Sequence, residues 1–268
     1  MAYMAPGADS LPTSGTSPKI GIERMPRGGY DASCLDRLLE TDRLEYLDRD
    51  DDGDGSADAR KKQVIDALDW SGRFFGNHEK FAAIALDLVA EVADPRILEL
   101  GAGHGGLSRQ LLVNHPSAHV TVSDIDRASV DALAAGELGT HPRAEVRRLD
   151  ATAIDAADRS FDLAVFALSF HHLSPAQASR VFAEGTRVAD RLLIIDLPRP
   201  PALLHLLRLA TMLPAAPFVP FIHDGVISSL RSYSPSALRS LALHADRTIQ
   251  LELRSGLTLP QIVIARRG

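Results

Sequence analysis

The chain has 268 residues, of which 45% are hydrophobic and 24% charged, and its formal net charge is −6 at pH 7. These values are typical of a globular protein with one large domain or two small ones, and the acidic balance argues against nucleic acid as a partner. The single cysteine, Cys34, excludes both an intrachain disulfide and a cysteine cluster for a metal.

The amino-terminal residues 1–20 are rich in Gly, Pro, Ser and Thr and contain no apolar segment of the length that a secretory signal needs. We expect them to be a disordered leader and the protein to be cytoplasmic. The chain has no run of eighteen apolar residues. We therefore expect no stable membrane insertion.

Residues 21–77 are predicted to form an N-terminal helical lid and substrate region, with a helix suggested by the leucines of 31–47. The acidic stretch 48–58 begins like a calcium-binding loop. Its twelfth position is Ala59, where such a loop needs a glutamate, and the alternative frame places Lys61 there. We interpret it as a solvated acidic loop and predict no metal site.

From residue 78 onward, helical and extended patterns alternate. Apolar residues spaced three and four apart predict a helix over 78–93, which Asp94-Pro95 ends. Short, almost wholly apolar strands follow, a pattern typical of a parallel sheet covered on both faces. The predicted strands are 96–100, 119–123, 144–148, 161–168 and 191–196, and the predicted helices lie near 105–114, 127–138 and 175–189.

The carboxyl-terminal part departs from this alternation. A helix over 235–244 precedes two strands near 247–254 and 259–266, which predict a closing antiparallel hairpin. Residues 198–233 form a proline-containing insertion with a leucine-rich stretch. We interpret it as an amphipathic lid over the active site; contact with lipid or with an apolar substrate is the alternative.

A glycine-rich turn follows the first strand, where residues 97–106 read Ile-Leu-Glu-Leu-Gly-Ala-Gly-His-Gly-Gly. Gly101, Gly103 and Gly106 match the G-x-G-x-x-G pattern, and Asp124 ends the next strand, as in a dinucleotide site. Glu99 points to a different ligand, because an anion at this place suits an ammonium or sulfonium group better than a pyrophosphate.

The later strand ends also carry polar residues, namely Asp150 and the segment Ser169–His172. Together with Val-Thr-Val-Ser-Asp-Ile-Asp, Phe-Asp-Leu-Ala-Val-Phe-Ala-Leu-Ser-Phe-His-His-Leu and Leu-Leu-Ile-Ile-Asp-Leu-Pro, they make residues 96–198 resemble the class I S-adenosylmethionine-dependent methyltransferases. The resemblance implies a Rossmann-like α/β fold over 78–268. Its seven-stranded sheet is mostly parallel with an antiparallel C-terminal hairpin strand, and helices cover both faces. It also implies S-adenosyl-L-methionine as cofactor and S-adenosyl-L-homocysteine as product.

The resemblance implies cofactor contacts along the strand ends. Glu99 and the glycine turn would face the methionine part, Asp124 the ribose hydroxyls, Ile125 the adenine ring and Asp150 the adenine amino group. A helix cap is the alternative for Asp150, and we prefer that interpretation for Asp126. The complete expected cofactor set is Arg73, Glu99, Gly101, Ala102, Gly103, Gly105, Asp124, Ile125, Asp150, Ala151, Ala167 and Leu168.

A looser resemblance links Arg73 and the segment His223–Tyr233 to the ubiquinone- and menaquinone-biosynthesis methyltransferases and to polyketide-tailoring enzymes of secondary metabolism. It implies a small aromatic or lipophilic acceptor, most simply methylated on oxygen, with carbon and nitrogen as the alternative atoms. His171 and His172 are the candidate catalytic bases, with backbone bonding or packing as the alternative. The expected acceptor-binding residues are Phe74, His223, Asp224, Arg231 and Tyr233; a self-satisfied loop with an Asp224–Arg231 salt bridge is the alternative.

Two other functions compete with methyl transfer. A nicotinamide-dependent oxidoreductase would use the same glycine turn, but the chain has no Tyr-x-x-x-Lys pair for hydride chemistry. A non-catalytic protein built on a methyltransferase fold would keep the cofactor-binding residues and lack activity.

Overall fold

The computed structural model describes residues 21–45, 77–212, 219–254 and 260–268. Its centre is a seven-stranded sheet in the order β3-β2-β1-β4-β5-β7-β6. The strands are β1 Arg96–Leu100, β2 His119–Asp124, β3 Ala144–Arg148, β4 Phe161–Ala167, β5 Ala189–Asp196, β6 Ile249–Arg254 and β7 Gln261–Arg267. The first five pair in parallel, and β7 runs antiparallel to both β5 and β6.

Helices cover both faces of this sheet, as short apolar parallel strands require. They are α1 Cys34–Leu38, α2 Asn77–Asp87, α3 Gly106–Asn114, α4 Arg127–Ala135, α5 Glu137–Thr140, α6 Pro175–Val188, α7 Ala202–Met212, α8 Pro220–Arg231 and α9 Pro235–Ala245. Alternate side chains of each central strand enter opposite cores: Leu98 and Ile194 lie in one, Ile97 and Leu193 in the other. The predicted fold class is therefore confirmed.

Several predicted boundaries need correction. The helix predicted over 127–138 breaks at Gly136, which ends α4 and begins α5. In the described part of 31–47, α1 covers only Cys34–Leu38, and Leu38 is 79% exposed. Most of the segment His223–Tyr233, for which we considered a loop, lies in α8, which ends at Arg231. No helix in the described ranges is long and apolar enough to cross a membrane.

Residues 21–45 pack against the rest of the protein through two buried arginines. Arg27 donates hydrogen bonds to the carbonyl oxygens of His171 and Arg231. Arg199, which follows β5, donates from one side of its guanidinium to carbonyls near α1 and from the other side to carbonyls at the end of α8. These acceptors are Asp36, Leu39, Leu230 and Ser232, at 2.8–3.3 Å. The amino-terminal segment is thereby fixed at the carboxyl-end edge of the sheet.

Candidate cofactor and acceptor site

The carboxyl ends of β1, β2, β4 and β5 meet at one edge of the sheet. This is the edge at which open α/β sheets bind their ligands. The described polar residues predicted for the cofactor lie within, end or follow these strands or β3, whereas His223, Asp224 and Arg231 lie on α8.

The glycine turn after β1 has a backbone that side chains would disturb. Gly101, Gly103 and Gly105 all have positive φ angles, of 63°, 53° and 74°, which L-residues rarely adopt. A Cβ on Gly101 would lie 2.7 Å from the Phe166 ring, whereas a Cβ on Gly103 would meet nothing within 4 Å. Gly103 therefore faces open space in which a ligand can approach the backbone.

Glu99 lies beneath this turn and is buried, with 3% of its surface exposed. Its carboxylate accepts a hydrogen bond from the Ser108 hydroxyl on α3. Burial raises the pKa of Glu99 to about 7; the Ser108 bonds oppose this shift, and the charge of Asp124 adds to it. A cationic ligand group beside Glu99 would favour its ionised form.

Asp124 connects the end of β2 to the glycine turn. Its Oδ2 accepts a hydrogen bond from the Gly103 amide at 2.9 Å, and its Oδ1 accepts one from the Asp126 amide at 2.9 Å. Ile125, next in the chain, has 58% of its surface exposed. Asp126 caps α4 by accepting from the Ser129 amide at 2.8 Å, in agreement with the preferred interpretation.

Asp150 follows β3 and holds a turn together. Its Oδ1 accepts hydrogen bonds from the amide and the hydroxyl of Thr152, both at 2.8 Å. Asp150 is exposed and Ala151 is partly exposed. Both are therefore accessible at the same edge as Asp124.

Ala167 ends β4, and Leu168 follows it. Leu168 has a positive φ angle of 56°, which is uncommon for a branched residue. Its amide donates to the Ile195 carbonyl at 2.7 Å, and 36% of its surface is exposed. The sequence contains no signal for this left-handed conformation, which turns the chain from β4 into the short 3-10 helix Phe170–His172.

His171 is buried and faces a carboxylate on each side of its ring. Its backbone amide donates to Asp196 Oδ2 at 2.7 Å, and its Nδ1 lies 2.7 Å from Asp196 Oδ1. Its Nε2 lies 3.5 Å from Glu45 Oε1. Burial opposes protonation, but the two carboxylates outweigh it and raise the pKa of His171 to about 9. At neutral pH it is therefore a poor proton acceptor.

His172 is the more accessible member of the pair, with 24% of its side chain exposed. Its Nε2 lies 3.8 Å from Glu45 Oε2, and its ring stacks on that of His171 with centroids 4.3 Å apart. Its carbonyl accepts a hydrogen bond from the Arg231 guanidinium at 2.6 Å. The pair thus sits on a backbone that Arg27 and Arg231 hold in place.

The remaining expected acceptor residues differ in accessibility. His223 and the buried Asp224 lie side by side on α8, with Nδ1 and Oδ1 3.0 Å apart. Tyr233 is 2% exposed, packs edge-on against Phe170 and donates its hydroxyl to the Leu173 carbonyl at 2.7 Å. Tyr233 therefore supports the wall of the site from within the core. Arg73 and Phe74 lie outside the described residues, as does the acidic stretch 48–58.

Sequence reasoning missed three residues that the structure brings to this site. Asp196 ends β5, and a pattern search of strand ends could have found it. Ser108 is the third residue of α3, and its hydroxyl donates a hydrogen bond to the Glu99 carboxylate. Glu45 is far from the histidines in the chain, and no spacing rule connects them.

Comparison with known proteins finds matches to the central part of the chain. Residues 97–191 match the methyltransferase domain family. A demethylmenaquinone methyltransferase from Thermus thermophilus is 32% identical over 135 residues, which are 47% of this chain. The match spans 58% of that relative's length.

Solved structures agree on the fold. The plantazolicin methyltransferase BpumL, in complex with a pentazolic desmethylPZN analog and SAH, aligns with a TM-score of 0.62 at 11% identity, covering 87% of this chain and 98% of that one. A candidate O-methyltransferase from Nostoc punctiforme PCC 73102 aligns with a TM-score of 0.53 at 17% identity, covering 76% of this chain and 59% of that one. At these identities the likeness establishes a shared architecture.

Proposed function

We propose that the chain, whose residues 97–191 match the methyltransferase domain family, transfers a methyl group from S-adenosyl-L-methionine to a small-molecule acceptor. The observation that carries the proposal is the junction of Asp124 with Gly103, which joins the acidic end of β2 to an open glycine turn. When bound, this cofactor supplies a methyl group activated by a sulfonium.

The residues at the strand ends fit such a cofactor. The buried carboxyl group of Glu99 below the turn, once ionised, suits an ammonium group, and Asp124 is the proposed acceptor for the ribose hydroxyls. Ile125 exposes an apolar surface on which a purine can pack. Asp150 and Ala151 follow β3, the strand next to β2, at the same edge of the sheet. We assign the cofactor-binding role to these residues together with Gly101, Ala102, Gly103, Gly105, Ala167, Leu168 and Arg73.

The proposed acceptor is aromatic or lipophilic and is methylated on oxygen. Several leucines of α7, including Leu203 and Leu207, are largely exposed and offer apolar surface for such a molecule. The relative from Thermus is named for a quinone-type substrate, which favours this chemical class. We propose that the acceptor binds beside His172, with His223, Asp224 and Arg231 around it and Tyr233 behind them; Phe74 is assigned to the acceptor from the sequence alone.

The two histidines divide the work at the acceptor. His172, which is partly exposed, contacts the acceptor hydroxyl and assists the loss of its proton, while His171 positions His172 from below. Holding the acceptor oxygen in line with the methyl group and excluding water supply the rest of the rate enhancement. Residues 21–77 and the insertion 198–233 are the proposed lid that excludes water.

Cofactor binding is the first test. Isothermal calorimetry should detect S-adenosyl-L-homocysteine bound at one site per chain, and NAD should give no heat. Binding of NAD without S-adenosyl-L-homocysteine would refute the proposal. Incubation with S-adenosyl-L-methionine and a panel of phenols and hydroquinones, followed by mass spectrometry, then tests transfer. A product whose NMR spectrum shows a new methoxy group supports O-methylation; a new methyl group on carbon would exclude it, and methylation of amines alone would overturn the acceptor class.

A further inference from the structure

Glu45, His171 and His172 converge at the end of β4 and β5. Each offers one ligand atom, and these three atoms all lie within 4.8 Å of one another. Glu45 and His171 are buried, and His172 is partly exposed. We propose that these three side chains bind a divalent transition metal ion, with Zn²⁺ as the reference ion.

The distances suit such an ion. Nε2 of His171 lies 3.5 Å from Glu45 Oε1, and Nε2 of His172 lies 3.8 Å from Glu45 Oε2. Ligand atoms about 2.1 Å from a tetrahedral zinc ion are roughly 3.4 Å apart. A small closure of the three side chains therefore creates the coordination sphere.

An unsatisfied buried atom points into the cluster. His171 Nε2 makes no hydrogen bond within the described residues, although its side chain is only 5% exposed. A buried polar nitrogen without a hydrogen bond is costly to a folded protein. Coordination to a metal ion would satisfy it.

The residues behind the ligands form the support that metal sites use. Asp196 Oδ1 holds Nδ1 of His171 at 2.7 Å, which directs Nε2 toward Glu45. The Ser228 hydroxyl donates to Glu45 Oε1 at 2.7 Å and fixes that carboxylate. A carboxylate behind a ligating histidine and a hydrogen bond to a ligating carboxylate are the usual outer partners of such sites.

Charge also favours a divalent cation here. Two buried carboxylates, Glu45 and Asp196, face the ring of His171, and a metal ion bound there would replace the proton on Nε2. The neighbouring guanidiniums of Arg27 and Arg231 donate to the backbone carbonyls of the two histidines. These bonds hold the backbone of His171 and His172, and they do not involve the imidazole nitrogens.

Two histidines and one glutamate leave at least one coordination position open, as catalytic metal sites do. This role rests on the proposed function: an acceptor hydroxyl bound at the open position would lose its proton more readily, because the cation stabilises the oxyanion. The site would thus select acceptors with an oxygen donor over purely apolar ones. His172, as a ligand, would assist proton loss through the metal.

The test is titration of the chelator-treated full chain with Zn²⁺ by calorimetry, and with Co²⁺ by visible absorption. We expect one ion per chain and a Co²⁺ spectrum of a four- or five-coordinate nitrogen–oxygen site. His172→Ala and Glu45→Gln should each lower the affinity at least tenfold, and Asp196→Asn by about ten- to a hundredfold. His119→Ala removes an exposed histidine at the amino end of β2, far from the cluster along the strand, and should leave the metal affinity unchanged.

Three results would overturn the site: no binding by the wild-type chain, equal loss in His119→Ala, or full affinity in both His172→Ala and Glu45→Gln. Circular dichroism identifies any variant that has not folded, and the wild-type Co²⁺ spectrum needs no variant. Binding of S-adenosyl-L-homocysteine is measured on the same samples. A chain that binds S-adenosyl-L-homocysteine but not Zn²⁺ retains the proposed function and loses this site. A chain that binds Zn²⁺ but not S-adenosyl-L-homocysteine retains the site and loses the proposed function.

Discussion

Both carboxylate oxygens of Asp196 engage His171: Oδ2 accepts from its backbone amide, and Oδ1 lies 2.7 Å from its ring nitrogen Nδ1. Oδ1 also accepts from the Leu197 amide at 2.7 Å. One buried side chain at the end of β5 therefore determines the position and ring orientation of a residue that follows β4.

Replacement of Asp196 should be strongly destabilising. In Asp196→Asn an amide NH₂ replaces one acceptor oxygen, so a buried donor faces another donor and the charge pair with His171 is lost. We expect the free energy of unfolding to fall by about 3 kcal/mol, as for other broken buried pairs. Urea denaturation measures it. Asp190→Asn, an exposed position on the same strand, is the control; a similar loss there would refute the explanation.

Replacing each of two aspartates at the end of β2 should separate an effect on cofactor affinity from an effect on stability. Asp124→Ala removes the acceptor of the Gly103 amide and the proposed ribose contact, so we expect the affinity for S-adenosyl-L-homocysteine to fall at least tenfold. Asp126→Ala removes only the cap of α4, which costs about 1 kcal/mol of stability and leaves the affinity intact. Calorimetry and urea denaturation of both variants test this contrast, and equal affinities would contradict it.

The glycine turn allows a second contrast. Gly103→Ala meets no atom within 4 Å, so its cost is the left-handed backbone strain of about 1 kcal/mol, while the new methyl group enters the proposed cofactor space. In Gly105→Ala the new Cβ would collide with the side chains of Leu133 and Leu138.

We therefore expect Gly103→Ala to fold and to bind S-adenosyl-L-homocysteine poorly. Gly105→Ala should be the less stable of the two in thermal denaturation. A Gly103→Ala variant with wild-type affinity would place the cofactor away from this turn.

Glu99 should make stability depend on pH. Its pKa is raised from 4.5 to about 7, chiefly by burial. A raised pKa means that the folded protein holds this proton more tightly than the unfolded chain, so the contribution is present below pH 4.5 and is lost as the pH rises through 7. At about 1.4 kcal/mol per pKa unit, it corresponds to about 3 kcal/mol.

Glu99→Gln should remove this dependence. Its stability relative to wild type should improve between pH 5 and pH 8, as measured by urea denaturation at both values. For Glu91→Gln, at an exposed position, the stability relative to wild type should change little between the two pH values. An unchanged difference between Glu99→Gln and wild type across that range would show that burial does not raise the pKa of Glu99.

Cofactor affinity should show the opposite trend with pH. Ionised Glu99 attracts the ammonium group of the proposed cofactor, so the affinity for S-adenosyl-L-homocysteine should rise between pH 6 and pH 8. Glu99→Gln should bind more weakly and lose this rise. Calorimetry at three pH values measures both effects, and a pH-independent wild-type affinity would exclude Glu99 from the ammonium contact.

The sequence predicted the sheet well because its information is local. Wholly apolar strands separated by amphipathic helices determine a parallel sheet, and the predicted bounds of β1 and β3 were correct. The residues that follow the strands, such as Asp124 and Asp150, then had to share one edge. The break at Gly136 and the shortness of α1 depend on tertiary packing, which periodicity does not report.

The acceptor side was less predictable because its contacts are long-range. Glu45 and His171 are 126 positions apart, and their approach depends on how residues 21–45 fold back on the sheet. The expectation of no metal site rested on the single cysteine and the acidic stretch 48–58, neither of which bears on a histidine–glutamate cluster. The left-handed turn at Leu168, which places His171 and His172, likewise has no signature in the sequence.

The bonds of Arg199 to backbone carbonyls have a consequence for how the protein comes apart. Carbonyl oxygens do not titrate near neutral pH and carry no net charge for salt to screen. Changes of ionic strength should therefore weaken these bonds between α1 and α8 less than they weaken ion pairs. Denaturants that compete for peptide groups can open this junction, and the guanidinium ion does so with the same donor group that the protein uses.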